Sequence, residues 1–197
     1  MDSQTLVSIV YTVILYGSLV YIAIPIVFFL LWTFFDFWKK HIELFYAVTL
    51  LLFAATVAGF YYTQHLWIYW YYAFPPVLQM LGLLFILFTY SIGKLAQVSI
   101  TVQGRYFYAL LKGEKTHLKT DGLYKYVRHP IYAMVPFGIL GALFYTGQLI
   151  FIPILFFNLA ARGWYAEQEE KQLKKFWLSH YEAYEKKTPN RFYPKFF

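Results

Sequence analysis

Cysteine is absent from all 197 residues, which removes disulfides, thiolate nucleophiles and cysteine-based zinc sites together. Charge is scarce as well: 14% of the residues are Asp, Glu, Lys or Arg, where an ordinary soluble domain carries about 25%. Several chemical fingerprints are missing, among them GxSxG, GxGxxG and the phosphate loop. The five histidines, at 41, 65, 117, 129 and 180, never fall four residues apart as a helical metal site would place them, so no metal is expected. A nucleotide-like cofactor would have to bind without a soluble Rossmann domain.

What is present is apolar: 60% of the chain is hydrophobic and 24% is aromatic. About 20 such residues make one bilayer crossing, so the fold class is an all-α polytopic membrane protein. Residues 5–35 hold no charge and predict a first span, bent near Pro25. The preceding MDSQT carries an acid in place of a basic signal-peptide start, so this helix is expected to be retained. Residues 36–43 read as a short loop with Lys39 and Lys40, and residues 44–64 as a second span. The ring-rich stretch 65–74, HLWIYWYYAF, suits an outer headgroup boundary, and a third span runs from after Pro75 and Pro76 to about Gly93.

Residues 94–128 hold seven basic residues against two acids, a net +5 that places this loop in the cytoplasm. The overall charge of +7 sits beside apolar spans and suits anionic membrane lipids; no nucleic-acid motif accompanies it, so no nucleic-acid partner is expected. Residues 131–164 are too long for one straight span and predict a helical hairpin broken at Gly147 and Gln148. Five crossings result, in one integral-membrane domain over 1–197. Residues 1–93 form three N-terminal spans, and 94–197 the loop, the hairpin and a C-terminal helix and tail. The N-terminus is then outside and the C-terminus inside.

Residues 164–187 predict a cytoplasmic helix with Leu173, Trp177, Tyr181 and Tyr184 on one stripe. Extending that stripe backward reaches Glu170, with Glu169 beside it, and a carboxylate on a packed face requires a partner. The hairpin returns the chain to the level of DGLYKYVRHPIYAM, residues 121–134, so the two polar anomalies meet. Pro130 fixes its own φ and biases His129 toward extended geometry, so that an Arg, a His and backbone amides at a helix start suit an anion. A plainer reading stands beside this one: Arg128 snorkelling to headgroups, His129 satisfying a loop carbonyl, Pro130 an ordinary first-turn proline. Glu169 and Glu170 could equally be solvated acids or partners of Lys174.

GLYKYVRHPIY at 122–132, then EEKQL at 169–173, then Tyr181, Tyr184, Thr188, Arg191 and Pro194, resembles the C-terminal signature of the integral-membrane methyltransferases, which include isoprenylcysteine carboxyl methyltransferases and phospholipid N-methyltransferases. The resemblance covers roughly residues 94–197. Trp177-Leu178 stands where the family often has Phe-Gly, and Thr188-Pro189-Asn190-Arg191 is one residue longer than the usual Thr-x-Arg. The resemblance implies a cytoplasmic S-adenosylmethionine site covered by the C-terminal helix and tail. Arg128, His129, Pro130 and Tyr132 would line the cofactor, and Glu169 and Glu170 would hold its polar groups. Arg162 would orient a carboxylate or pair with Glu170, and Arg191 would close the pocket. The implied acceptor is a lipid or lipid-modified molecule, nearest to an isoprenylcysteine carboxylate, with a phospholipid amine as the alternative. An NADPH-dependent enzyme like the sterol reductases, and a non-catalytic lipid-binding membrane protein, are the other readings.

Overall fold

A computed structural model describes residues 2–102 and 118–193. The first helix, α1 (Ser3–Leu19), starts at Asp2, whose Oδ1 accepts the Thr5 amide at 2.7 Å. A 3₁₀ turn over Val20–Ile22 then interrupts the α-helix before α2 (Ala23–Thr33). The cause is Pro25, which has no N–H to offer the Tyr21 carbonyl one turn back. That carbonyl is met instead by Asn158 Nδ2 at 3.0 Å, so the α-helix is interrupted near Pro25 and the freed acceptor is capped from another helix.

The expected loop at 36–43 is not one. Phe34 leaves the helical region, α3 (Phe35–Lys40) follows at once, and α4 (Ile42–Tyr62) begins after His41. Trp38 explains the tight corner, since its ring is buried and its Nε1 donates to the Leu30 carbonyl at 2.8 Å. After the short α5 (Gln64–Trp67), α6 (Pro76–Val102) runs well past Gly93, so the basic segment begins as helix. Arg105, Lys112, Glu114 and Lys115 of that segment, and Pro194 and Lys195 of the tail, lie outside the described residues.

A 3₁₀ turn over Gly122–Lys125 leads to the hairpin, made of α7 (Pro130–Thr146) and α8 (Phe151–Trp177). Gly147, at φ 73°, closes α7 in the left-handed region that glycine tolerates. A Cβ there would also strike the Tyr72 carbonyl. The turn pairs with the aromatic stretch through Tyr72 N–H to Gly147 O at 2.9 Å and Leu149 N–H to Trp70 O at 2.8 Å, which ties the two regions to one end of the molecule. The second arm does not stop near Trp164: α8 continues to Trp177, the chain breaks at Leu178, and α9 (Ser179–Lys187) follows.

Three helical stretches, Gln4–Thr33, Ile42–Tyr62 and Pro76–Ala96, are long and apolar enough to cross a membrane. Only 6% of each of the last two is buried against the rest of the protein, as lipid-facing helices require. Close approach of α6 to α7 rests on glycine. A Cβ on Gly82 would lie 2.7 Å from the Gly141 carbonyl oxygen and from the Tyr145 nitrogen. Among the described residues no strand forms; Tyr71 and Gln148 make an isolated bridge. Two cores result, one near the hairpin turn around Leu19, Trp67, Ile139 and Phe151. The other, at the opposite end, brings Trp38, Tyr132, Tyr165, Leu173, Tyr181 and Tyr184 together, so the predicted stripe is buried except at Trp177, which is partly buried against it, although two helices share it.

Candidate active site

His129, at φ −127° and ψ 65°, is the last residue before α7, and Pro130 occupies the first helical position, where no amide is needed. The amides just upstream were expected to face a ligand. They face the tail: Arg128 N–H donates to Asn190 O at 2.9 Å and His129 N–H to Arg191 O at 2.8 Å. The Arg128 guanidinium reinforces this strap, giving NH1 to the carbonyls of Thr188 at 2.9 Å and Pro189 at 2.8 Å. Thr188 Oγ1 bonds the Lys125 carbonyl at 3.2 Å and Tyr184 OH the Tyr124 carbonyl at 2.8 Å. The extra residue in the tail therefore leaves its docking intact, with two consecutive carbonyls on one guanidinium.

Glu170 is the centre of charge. It is 2% exposed, and it accepts from Arg128 Nε at 3.0 Å, His129 Nε2 at 3.0 Å and Arg191 NH2 at 2.7 Å. Burial alone would raise its pKa, but the hydrogen bonds from His129, Arg191 and Arg128 outweigh that and hold it at about 2. Glu169, one residue earlier, accepts from Tyr132 OH at 2.5 Å and lies 3.4 Å from His129 Nδ1. Burial opposes a charged imidazole at His129, yet the two carboxylates win and raise its pKa. An imidazolium donating to both acids is the consistent state. The ring also stacks on Tyr132, with centroids 5.2 Å apart and an 8° angle.

RHPIY and the acid pair thus meet as the hairpin required, and not as solvated or snorkelling groups. Arg162 does not join them. It donates to Tyr193 OH at 2.8 Å and lies 4.8 Å from the centre of the Phe192 ring, so it clasps the tail instead of pairing with Glu170. Glu185 enters without having been anticipated, between Lys174 at 2.7 Å and Arg128 at 3.5 Å. No local pattern marks it, because both partners are tertiary neighbours.

Beside the cluster lies a cleft whose empty space, open mouth included, is about 680 Å³. Its walls include Arg128, His129, Pro130, Tyr132 and Glu169 from the polar side and Phe28 from α2. Glu170 is not part of the wall. Of the two acids, then, Glu169 faces the cleft and Glu170 anchors the cations behind it. Among the described residues no group of His, Asp and Glu side chains is arranged to hold a metal.

Residues 70–180 match the model of a family described as phospholipid methyltransferase. A protein-S-isoprenylcysteine O-methyltransferase from Schizosaccharomyces pombe is 37% identical over 83 residues, which is 40% of this chain and 34% of that relative. The aligned part is thus about a third of the relative's length. No solved structure matches.

Proposed function

This chain belongs to the phospholipid methyltransferase family, matched over residues 70–180, and from that premise we propose that it transfers a methyl group from S-adenosylmethionine to a lipid-like acceptor. The observation that carries the proposal is the convergence of the RHPIY turn, the acid pair and the tail on one cleft, with Glu169 in its wall and Glu170 neutralised behind it. The family membership supports reading the protein as a membrane methyltransferase and gives the reductase alternative no support.

The residues fit such a cofactor. The cleft joins a carboxylate, an imidazole and several aromatic rings, and one buried phenol among them, Tyr181, has no hydrogen-bond partner among the described residues. His129, Pro130 and Tyr132 would line the cofactor, Glu169 would accept from its hydroxyl or amino donors, and Arg128 with Glu170 would hold the tail closed over it. Arg191 and Arg162 act on the tail, as pins on Glu170 and on the Phe192 and Tyr193 rings. When bound, the sulfonium supplies a methyl group that leaves by in-line displacement. The chain supplies position and dryness, and positioning can contribute roughly 7 to 11 kcal/mol.

The acceptor we favour is an isoprenylcysteine-type carboxylate, since the similar yeast protein is a protein-S-isoprenylcysteine O-methyltransferase. A phospholipid amine is the second reading, favoured by the family whose model matches. Phe28, on a helix that can span the bilayer, forms part of the cleft, which suits an acceptor whose apolar part lies in the membrane. We read one membrane domain over 1–197, with three spans in 1–93 and the two hairpin arms as the fourth and fifth crossings. The site end and the C-terminus are placed in the cytoplasm and the N-terminus outside. Lys39 and Lys40 follow Trp38 and so lie at the site end, while Trp70 and Tyr72 meet the hairpin turn at the other. S-adenosylhomocysteine and NADPH binding to the purified chain in detergent, followed by methyl transfer to S-farnesylcysteine and to phosphatidylethanolamine vesicles, tests the reading. NADPH binding without S-adenosylhomocysteine binding, or transfer to neither acceptor, would count against it.

A further inference from the structure

Two phenols are each 1% exposed and, among the described residues, have no hydrogen-bond partner for the hydroxyl: Tyr165 and Tyr181. Their neighbours are satisfied, since Tyr132 donates to Glu169 and Tyr184 to the Tyr124 carbonyl. Nearly all buried hydroxyls find a partner, and one left over has a cost in stability that calls for a reason. The two differ in place. Tyr181 lines the cleft beside Arg128, His129 and Glu169, whereas Tyr165 is packed between Phe28 and Tyr132 and forms no part of the wall.

Burial and then the nearby Glu170 charge push the Tyr181 pKa far up, so its phenol remains protonated across the physiological range. It is therefore a donor in search of an acceptor, on a wall that also holds the Glu169 carboxylate, which already accepts from Tyr132. Tyr181 belongs to α9, apart from the membrane-spanning helices, while the cleft's apolar end at Phe28 belongs to α2. The ligand portion within reach of Tyr181 is the polar one. We propose that Tyr181 binds the cofactor directly, its hydroxyl donating to an oxygen or nitrogen acceptor of the S-adenosyl group. This rests on the methyltransferase reading above.

The test compares Tyr181→Phe and Tyr165→Phe with wild type, by calorimetric binding of S-adenosylhomocysteine and by thermal unfolding without ligand, all in detergent. Loss of the hydroxyl from Tyr181 should weaken binding about three- to tenfold and leave the ligand-free Tm equal or higher. Tyr165→Phe should leave affinity unchanged, with Tm likewise equal or higher. Unchanged affinity in Tyr181→Phe overturns the assignment, as does a loss matched by a lower ligand-free Tm, which would mark a structural role. If that variant does not fold, 3-fluorotyrosine at position 181 replaces it: its ¹⁹F shift must move with S-adenosylhomocysteine and stay still with NADPH, and any other result refutes the contact. Wild type that fails to bind S-adenosylhomocysteine defeats the methyltransferase reading itself; wild type that binds while Tyr181→Phe binds equally defeats only the role of Tyr181.

Discussion

Glu170→Gln keeps the shape of the side chain and deletes the charge shared by Arg128, His129 and Arg191. The first two are 7% and 5% exposed, and removing one partner of a buried ion pair costs about 3 to 5 kcal/mol. Arg191 is 38% exposed on its side chain and adds little, under about 1 kcal/mol. Arg128 also keeps the Thr188 and Pro189 carbonyls and Glu185, so the lower end, about 3 kcal/mol, is the appropriate figure. At 1.4 kcal/mol per factor of ten, an opening that parts the Arg128–His129 turn, with the tail strapped to it, from Glu170 becomes roughly 100-fold more populated. Tryptic cleavage after Arg191 reads that population when opening is fast, and an increase under threefold would refute the reasoning. The pH dependence has a defined sign. Glu170 is lowered to about 2 from 4.5, so its contribution is present above 4.5 and lost as pH falls toward 2. His129 is raised from 6.5, so its contribution is full below 6.5 and lost as pH rises through the raised value. Wild-type cleavage, corrected with a peptide substrate, should accelerate on the alkaline side, and in Glu170→Gln that limb should move to lower pH.

Leu178 sits at φ 46° and ψ −124° and is 67% exposed, a conformation that costs an L-residue about 1 to 3 kcal/mol. Leu178→Gly should raise stability by roughly 1 kcal/mol net of glycine's flexibility, and an unchanged or lower Tm would contradict it. Gly82→Ala drives a Cβ into backbone atoms of α7 and should cost about 1 to 3 kcal/mol, whereas Gly17→Ala, with nothing within 4 Å, should gain up to about 1 kcal/mol; thermal unfolding of the pair checks the contrast. Asn158→Leu leaves the Tyr21 carbonyl unpaired and should cost about 1 to 3 kcal/mol. Pro25→Ala in that background restores an N–H at the right position and should recover part of the loss, a coupling absent if Asn158 acts only by packing.

Three long apolar helices and the hairpin turn were legible because charge-free runs and the punctuation of Pro25 and Gly147 are local signals. The end of the hairpin's second arm was not, since the change from apolar to charged residues near Trp164 marks a change of surroundings and not a helix stop. The true break, at Leu178, is silent by composition, because leucine is a good helix former; only the Phe-Gly usual in the family at this point hints at a positive φ. Arg162 shares a face with the acid pair, but seven or eight residues of helix are about 11 to 12 Å of rise, and the Phe192 and Tyr193 rings engage it instead. Glu185 and the two tail carbonyls on Arg128 could be found only in three dimensions. The cluster also explains itself poorly as a stability device, since buried ion pairs are often no better than apolar packing of the same volume. Its value lies in what the geometry separates. Glu170 absorbs three cations and fixes the tail, and Glu169 is thereby left on the cleft wall with Tyr132 and His129 orienting it. An apolar core could hold the tail as firmly, but it would not leave an oriented carboxylate facing a ligand.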